Sequence, residues 1–372
     1  MSVLIESIET LLVDLPTIRP HKLSMATMAT QTMVIVRLRC ADGVEGIGEA
    51  TTIGGLSYGP ESPESMKLNL DTYLAPMLVG QAADNLNALM ARLDKVAKGN
   101  TIAKSALETA LLDAQGKRLG VSVASLLGGA RHTHLPVLWT LASGDTERDI
   151  EEAERRLNDR RHRDFKLKIG ANRLDDDVRH VAAIKAALGD RASVRVDVNQ
   201  AWDEPTAVRG ISALQEAGVE LIEQATPAHE HAGLTRLANR FEVAMLADEG
   251  VQDSRDGLSL IHHGFSGAFA LKIAKSGGPR GALCLAHLAQ AAGVGLYGGT
   301  MLEGTIGTVA SLHAWATLPE MTWGTEMFGP LLLTDDIVTR PLTFSEFGVT
   351  LPGGPGLGVS LDEDKLREYA RR

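Results

Sequence analysis

The segment FKLKIG, residues 165–170, carries two lysines one residue apart in an otherwise apolar run. Because the side chains of a β-strand alternate between its two faces, Lys166 and Lys168 point to one side and the apolar residues to the other. One alternative is an edge strand whose lysines extend into solvent. That alternative does not explain the similar run FALKIAK, residues 269–275, which sets Lys272 in the same surroundings. We therefore expect an interior that holds several ammonium groups beside negative charge.

Strand-like runs of this kind recur along residues 131–330, with helical stretches between most of them. The eight runs are LPVLWTLAS, FKLKIG, SVRVDVNQ, VELIEQ, VAMLADEG, AFALKIAK, VGLYGG and TWGTEMFG. Alternation of strand and helix predicts βαβ units and a parallel sheet. Eight repeats favour a closed barrel over an open sheet. The predicted fold is thus α/β, a (β/α)7-8 TIM-like barrel.

The segments on either side of the barrel follow a different pattern. Residues 1–130 read as an α+β capping domain, with a hairpin around the turn at residues 41–43 and a helix in TIAKSALETALLDAQGKRLG that Gly120 would end. Two stretches, about 17–32 and 50–60, lack a clear period and are predicted to be exposed loops. Residues 331–372 return to strand-like alternation and are expected to pack back on the capping domain.

Composition narrows the class of protein. The chain of 372 residues has a formal net charge of -10, which argues against a general role in binding nucleic acid or an anionic membrane. Its two cysteines, Cys40 and Cys284, lie far apart without metal-type spacing, so reduced thiols and a cytoplasmic location are expected. The acidic start of the chain does not resemble a signal peptide. No apolar run approaches the length of a membrane span.

Charged residues stand where the predicted strands end. Asp197, Glu223 and Asp248 are separated by about 25 residues each, close to one βα unit, so they are expected at the same height of the barrel. Three adjacent carboxylates would repel one another in a poorly solvated interior. A hard divalent cation removes that repulsion, and oxygen ligands favour Mg²⁺ or Mn²⁺. Singly, each acid could equally cap a helix or pair with a surface lysine.

The lysines complete this arrangement. Lys166 and Lys168 precede the acidic strands and Lys272 follows them, so ammonium groups would flank the metal on two sides. A nearby cation lowers a lysine pKa towards the range that suits a general base. A metal and a cationic lysine beside a carboxylate stabilise the charge of an enediolate, and enolase-superfamily enzymes are a known case of a Lys base with Mg²⁺.

With these lysines and acids, the chain resembles the muconate-lactonizing subgroup of the enolase superfamily. The resemblance covers essentially the whole chain. Segments similar to bacterial muconate cycloisomerases include VDLPTIRPHKL, DGVEGIGEATTIGGLSYG, RRHRDFKLKIGAN, SVRVDVNQAWDE, GLYGGTMLEGTIGT and WGTEMFGPLLLT. The resemblance implies a reversible, metal-assisted syn conversion of cis,cis-muconate, a small dicarboxylate, to muconolactone. It also implies a homo-oligomer, commonly an octamer in this family.

The resemblance assigns roles to individual residues. Asp197, Glu223 and Asp248 would hold Mn²⁺ or Mg²⁺. Lys168 would exchange the α-proton, Lys166 would assist it electrostatically, and Lys272 would stabilise the enolate from the opposite side. Glu326 matches a second carboxylate that handles protons. The residues expected near the substrate are Asn199, Ile53, Tyr58 and Phe328, and the two loops of the first domain would act as lids.

Alternatives remain at this stage. A chloromuconate cycloisomerase is the nearest, although Phe328 and the GGLSYG loop look more like the enzyme for unsubstituted muconate. N-acylamino acid racemases, dipeptide epimerases and succinylbenzoate synthases share the same lysines and ligands, and a binding protein without catalysis could use the same barrel. The chain departs from the subgroup pattern in EQATP, residues 223–227, where Pro227 comes two residues late.

Overall fold

Three antiparallel strands begin the chain in the computed structural model, which describes residues 2–22 and 27–371. They are β1 (Ile5–Lys22), β2 (Thr27–Cys40) and β3 (Glu45–Thr51), hydrogen-bonded in that order. The predicted hairpin at residues 41–43 is confirmed. The predicted loop over about 17–32 is largely wrong, because its described residues belong to β1 and β2, which pair as far as Lys22 opposite Thr27 with a register shift between Pro16 and His21. Residues 17–20 bury neither face fully, so this part of the hairpin has no apolar alternation to detect.

Helices cover one face of this sheet. They are α1 (Pro63–Asn69), a π-helical turn (Leu70–Leu74), α2 (Ala75–Leu78), α3 (Leu86–Val96), α4 (Thr101–Leu119) and α5 (Val123–Leu126). The long predicted helix is α4, and Gly120 ends it in the left-handed conformation, as expected. Glycine allows α4 to lie directly on β3: a Cβ at Gly48 would stand 2.0 Å from the carbonyl oxygen of Ala106.

A seven-stranded, all-parallel sheet follows the short strand β4 (His134–Pro136). Its strands are β5 (Trp139–Leu141), β6 (Asp164–Lys168), β7 (Ser193–Asp197), β8 (Leu221–Glu223), β9 (Ala244–Ala247), β10 (Ala268–Leu271) and β11 (Gly295–Gly298), in sequence order. The helices that alternate with them are α6 (Thr146–Asn158), α7 (Leu174–Leu188), α8 (Glu204–Glu216), α9 (His231–Arg240), α10 (Ser254–His262), α11 (Pro279–Ala291) and α12 (Thr305–Trp315). The alternating parallel architecture is therefore confirmed.

The eighth predicted strand, in TWGTEMFG, is reduced to a single bridging residue. Thr325 forms parallel bridges both to Gly298 at the end of β11 and to Val137 just before β5. Its amide donates to the carbonyl of Pro136 over 3.0 Å, and its carbonyl accepts from the amide of Leu138 over 2.9 Å. The sheet thus curls round and closes through one residue. The left-handed Gly324 (φ 66°), directly before Thr325, interrupts a regular strand here.

The C-terminal segment packs against earlier parts of the chain at several points. Strands β12 (Phe344–Ser345) and β13 (Gly348–Thr350) form a small sheet with β4. Helix α13 (Glu363–Tyr369) ends beside the first sheet, where Ala370 bridges to Val13. Arg371 then pairs with Asp14 and Glu64. Across the described residues, none of the helices combines the length and apolarity needed to cross a bilayer.

A buried histidine supports the barrel wall next to β5. His162 donates through Nδ1 to the carbonyl of Val137 over 2.9 Å and packs against the ring of Trp139 at 5.2 Å between centroids. Burial lowers the pKa of His162 to about 4. Between pH 4 and 6.5 the unfolded chain therefore binds more protons at this residue than the folded chain, so folding stability falls as the pH falls through that range.

We expect acidification from pH 7 to pH 5 to reduce the free energy of unfolding by about 2 kcal/mol through His162. A His162→Gln variant keeps a donor at this position but cannot take up the proton, so it should lose that part of the pH dependence. Urea unfolding of both proteins at the two pH values measures the difference. Equal pH dependence in the two proteins would contradict this account.

Candidate active site

A cavity lies at the carboxyl end of the barrel, against the first domain, and the space between its lining atoms, including its opening to solvent, is about 420 Å³. Its lining residues are Ile53, Tyr58, Thr140, Lys166, Lys168, Asn199, Glu223, Asp248, Lys272, Thr300, Leu302, Glu326 and Phe328. Every residue singled out from the sequence lines this cavity except Asp197. Asp197 is buried and pairs directly with Lys168, so it belongs to the same cluster.

Strand register brings the first charged residues together. Lys168 on β6 lies opposite Asp197 on β7, and Asp197 lies opposite Glu223 on β8. Lys166, two residues before Lys168, donates to Glu223 over 2.9 Å and also pairs with Glu326. The alternation that made FKLKIG unusual thus directs both ammonium groups into the barrel, towards acids supplied by neighbouring strands.

Burial and charge compete in this cluster. Burial alone would lower the pKa of Lys166, but the carboxylates of Glu223 and Glu326 outweigh it and hold that pKa well above its usual value. Burial and the nearby Asp197 raise the pKa of Glu223 well above its usual range. Direct pairing with these carboxylates therefore holds Lys166 as a cation.

Asp248 is the centre of a second cluster. Its carboxylate accepts from Lys272 over 2.6 Å and from Lys275 over 2.7 Å. The hydroxyl of Tyr58 lies 3.1 Å from the same carboxylate and accepts from Lys272 over 2.8 Å. Burial would raise the pKa of Asp248, but the two lysines reverse this and lower it. Tyr58 therefore reaches from the first domain into the barrel's charged interior.

Two buried residues in this region were not predicted. Lys275 donates to the backbone carbonyl of Asp248 over 2.8 Å as well as to its carboxylate. The side-chain carbonyl of Gln224 accepts from the amides of Asp248 and Gly250. A lysine three residues after Lys272 in an apolar run was a usable signal for the first residue. Gln224 had no such signal, because its role depends on a neighbouring strand.

Gln224, in the EQATP segment, has an unusual backbone conformation. Gln224 has a φ of 38°, and its side-chain amide donates to the carbonyl of Thr226 over 2.9 Å. Glu223 keeps its place on β8. The altered loop therefore leaves the acidic residue in position and supports the backbone around Asp248.

The charged residues of the site fit a bound cation. Carboxyl groups outnumber ammonium groups, as the members are Asp197, Glu223, Asp248, Glu249 and Glu326 against Lys166, Lys168, Lys272 and Lys275. Burial and Asp248 raise the pKa of Glu249 to about 7, and its Oε2 is buried without a hydrogen-bond partner among the described residues. Lysine ammonium groups lie between the acids and pair with them. Within residues 2–22 and 27–371, no three Cys, His, Asp or Glu side chains therefore lie close enough together to hold a metal ion in this arrangement.

The rim of the cavity is built from both halves of the chain. Phe328 packs against Trp139 at 5.4 Å between ring centroids, and the Trp139 indole donates to Glu152 over 2.9 Å. Glu152 also pairs with Arg19 of β1 over 2.8 Å. Ile53, in the turn after β3, is buried on the other side. Chain segments far apart in sequence therefore fix the apolar part of the wall.

Comparison with known proteins agrees with this geometry. Residues 7–128 match the mandelate racemase / muconate lactonizing enzyme N-terminal domain, and residues 148–365 match the enolase C-terminal domain-like family. Muconate cycloisomerase 1 of Pseudomonas putida is 60% identical over the full length of both chains. A chloromuconate cycloisomerase of Pseudomonas sp. (strain P51) is 46% identical over 99% of each. A crystal structure of a muconate lactonizing enzyme from Pseudomonas fluorescens, complexed with muconolactone, superposes with a TM-score of 0.98 at 57% identity over 100% of both chains.

A curled parallel barrel with a capping domain and charged residues at its strand ends is the architecture of the enolase superfamily. Within that superfamily, the chain belongs to the mandelate racemase / muconate lactonizing enzyme family.

We expect Lys275→Met to lower the free energy of unfolding by about 3 kcal/mol, because it leaves the carbonyl and one carboxylate oxygen of Asp248 buried with fewer partners. Lys104→Met is the matched control: Lys104 is also buried, but its partner Asp94 is exposed. Urea unfolding followed by circular dichroism measures both. A loss no larger for Lys275→Met than for the control would show that Lys275 does not stabilise Asp248.

Proposed function

We propose that this protein catalyses the reversible conversion of cis,cis-muconate to muconolactone. The observation that carries the proposal is the buried set of lysines and carboxylates around one cavity, in a chain that superposes at a TM-score of 0.98 on an enzyme complexed with muconolactone. In the lactonizing direction, an oxygen of one carboxylate bonds to the diene carbon γ to it. The electron pair moves towards the other carboxylate as an enediolate, and one proton is added at the α-carbon.

A divalent metal fits the excess of buried carboxylates. Asp197, Glu223 and Asp248 would hold it, with Glu249 adjacent, and their oxygen donors suit Mn²⁺ or Mg²⁺. When bound, the metal supplies positive charge that lowers the energy of the developing enediolate. Displacement of the lysines from these carboxylates would free them for the proton and substrate contacts that follow.

Lys168 is the proposed proton carrier. Its ammonium lies at the cavity wall beside Asp197 and 3.3 Å from the side-chain oxygen of Asn199. It is the least buried of the lysines that line the cavity, which suits a group that must take up one proton per turnover. In the reverse direction the same amine removes the α-proton. Asn199 keeps the ammonium directed into the cavity.

Lys166, Lys272 and Glu326 are proposed to manage the surrounding charge. Lys166 remains a cation between Glu223 and Glu326, so it stabilises negative charge on the substrate carboxylate. Lys272 approaches from β10, across the cavity from β6, and would stabilise the enolate from that side. Glu326 is the carboxylate available for a second proton-handling role.

The apolar wall would enclose the diene of muconate. Ile53 and Phe328 would shape the space around the diene and keep water from the enediolate, and Tyr58 would bind near the reacting carboxylate. Chloromuconate remains the second candidate substrate, with its curated relative at 46% identity against 60% for the muconate enzyme.

We propose that residues 17–22 and 27–32, from the segment predicted as a lid over about 17–32, cover the cavity entrance together with the loop over 50–60, supported by the contacts of Arg19 and Tyr58 with the barrel. Residues 23–26 lie outside the described residues. The assembly is proposed to be a homo-oligomer, an octamer by family resemblance, in the cytoplasm, with a small dicarboxylate as its partner.

Purified protein is expected to remove the diene absorbance of cis,cis-muconate in the presence of Mn²⁺, with muconolactone as the product by NMR. Chelation with EDTA should abolish turnover, and Mn²⁺ or Mg²⁺ should restore it, because the enediolate charge is then stabilised.

N-succinyl amino acids, a dipeptide and chloromuconates are the comparison substrates, each assayed with the same metal. Turnover of one of these with no action on cis,cis-muconate would contradict the proposed function. Undiminished turnover after complete metal removal would contradict the metal assignment.

A further inference from the structure

The loop from Gly299 to Gly304, between β11 and α12, forms one wall of the cavity. Thr300 and Leu302 line the cavity, and Leu302 has a φ of 59°, a left-handed conformation that is costly for a leucine. The loop begins against Lys272: a Cβ at Gly299 would stand 2.8 Å from its Cε. A change in this loop therefore reaches both the substrate space and a lysine of the site.

Within the loop, two amides are satisfied locally. The amide of Met301 donates to Glu303 over 3.0 Å, and that of Leu302 donates to the hydroxyl of Thr300 over 2.8 Å. The carbonyls of Met301 and Leu302 point away from these partners. A buried carbonyl without a donor costs free energy, so the left-handed turn needs a donor from outside the loop.

Gln31 of β2 supplies that donor. Its side-chain nitrogen lies 2.9 Å from the carbonyl of Leu302 and 3.2 Å from that of Met301. The same nitrogen lies 2.9 Å from the hydroxyl of Thr51, at the start of the turn that carries Ile53. The residue is 2% exposed, so water does not compete for these bonds. One amide thus joins the two segments that carry Leu302 and Ile53.

Glu49 of β3 holds the other end of the loop. Helix α12 begins after Gly304, which has no side chain to cap the first amides. Glu49 caps them from the first domain: Oε1 accepts from Gly304 over 2.7 Å and Oε2 from Gly307 over 2.8 Å. The fit is tight, since a Cβ at Gly304 would stand 2.7 Å from the sulfur of Met33.

Glu49 occupies an unfavourable place for a carboxylate. Burial raises its pKa to about 8, with the neighbouring Glu303 and Asp336 adding to the rise and the two amide donors opposing it. A neutral side chain would be easier to bury here. The compensating interactions are the hydrogen bonds that Glu49 accepts from the amides of Gly304 and Gly307.

We propose that Gln31 and Glu49 are positioning residues that clamp the loop Gly299–Gly304 to the first domain and so fix the distance between the cavity walls formed by Ile53 and Leu302. The inference extends the proposed function, on which its kinetic part rests. Neither residue lines the cavity, so both act through the loop. Loosening the clamp would let Leu302 relax and widen the space around the diene, which weakens substrate binding more than it slows proton transfer at Lys168.

Two variants test the clamp. Gln31→Met keeps the side-chain length but removes the donors, and Glu49→Gln keeps one acceptor and serves as the milder change if the first variant folds poorly. We expect KM for cis,cis-muconate to rise about tenfold in Gln31→Met and less in Glu49→Gln, with kcat changed by less than about threefold. Hydrogen–deuterium exchange of residues 299–308 should accelerate in both without substrate.

Asp113→Asn is the matched control. Asp113 is a fully buried carboxylate of the first domain that likewise accepts two backbone amides, from Ile47 and Leu357, away from the cavity. It should lower the unfolding temperature without changing KM or exchange in residues 299–308.

Unchanged loop exchange and KM in Gln31→Met and Glu49→Gln would overturn the clamp, as would changes that Asp113→Asn reproduces. Because exchange is measured without substrate, it decides the clamp even if the wild-type protein fails to act on cis,cis-muconate, an outcome that would refute the proposed function alone.

Discussion

The buried charges of this protein must be neutralised by close partners of opposite sign, and this requirement organises the site and the strands around it. An unpaired ion in a protein interior costs several kcal/mol, so ammonium and carboxyl groups there must meet closely. Parallel strand register meets this requirement, because it sets Lys168 beside Asp197 and Asp197 beside Glu223. Even so, carboxyl groups remain in excess, and the raised pKa values of Glu223 and Glu249 express that excess. A site built in this way is prepared for a cation and for a substrate that develops negative charge.

The first domain takes part in this balance directly. Tyr58 contacts Asp248 and Lys272. Gln31 donates to a carbonyl of the loop between β11 and α12, and Glu49 caps the start of α12, where the barrel supplies no such partners of its own. The barrel supplies the charged groups, and the capping domain closes and shapes the space above them. This division explains how one barrel can serve several reactions in a family, since the walls can change while the charged strand ends stay.

The sequence predicted those parts of the site that repeat with the barrel. Lys166, Lys168 and the acids at strand ends follow from strand alternation and the spacing of βα units, and all of them meet at the cavity or next to it. Features that depend on contacts between distant segments were missed: the strand pairing over about 17–32, the closure through Thr325 alone, and the roles of Lys275, Gln224, Gln31 and Glu49. Lys275 had a usable signal in its apolar run. The other features depend on neighbours that lie far away in sequence, so local periodicity carries no signal for them.

We propose that Lys168 exchanges the α-proton of a substrate carboxylate held among these buried charges. Proton NMR of muconolactone incubated in D₂O with metal-loaded protein tests it most directly. We expect deuterium to replace one prochiral α-hydrogen, the one added to the same face of the former double bond as the ring oxygen. Lys168→Ala should show no exchange, and the control Lys185→Ala, which lies outside the cavity, should exchange normally. Exchange that persists in Lys168→Ala, or that reaches both α-hydrogens equally in the wild-type protein, would contradict it.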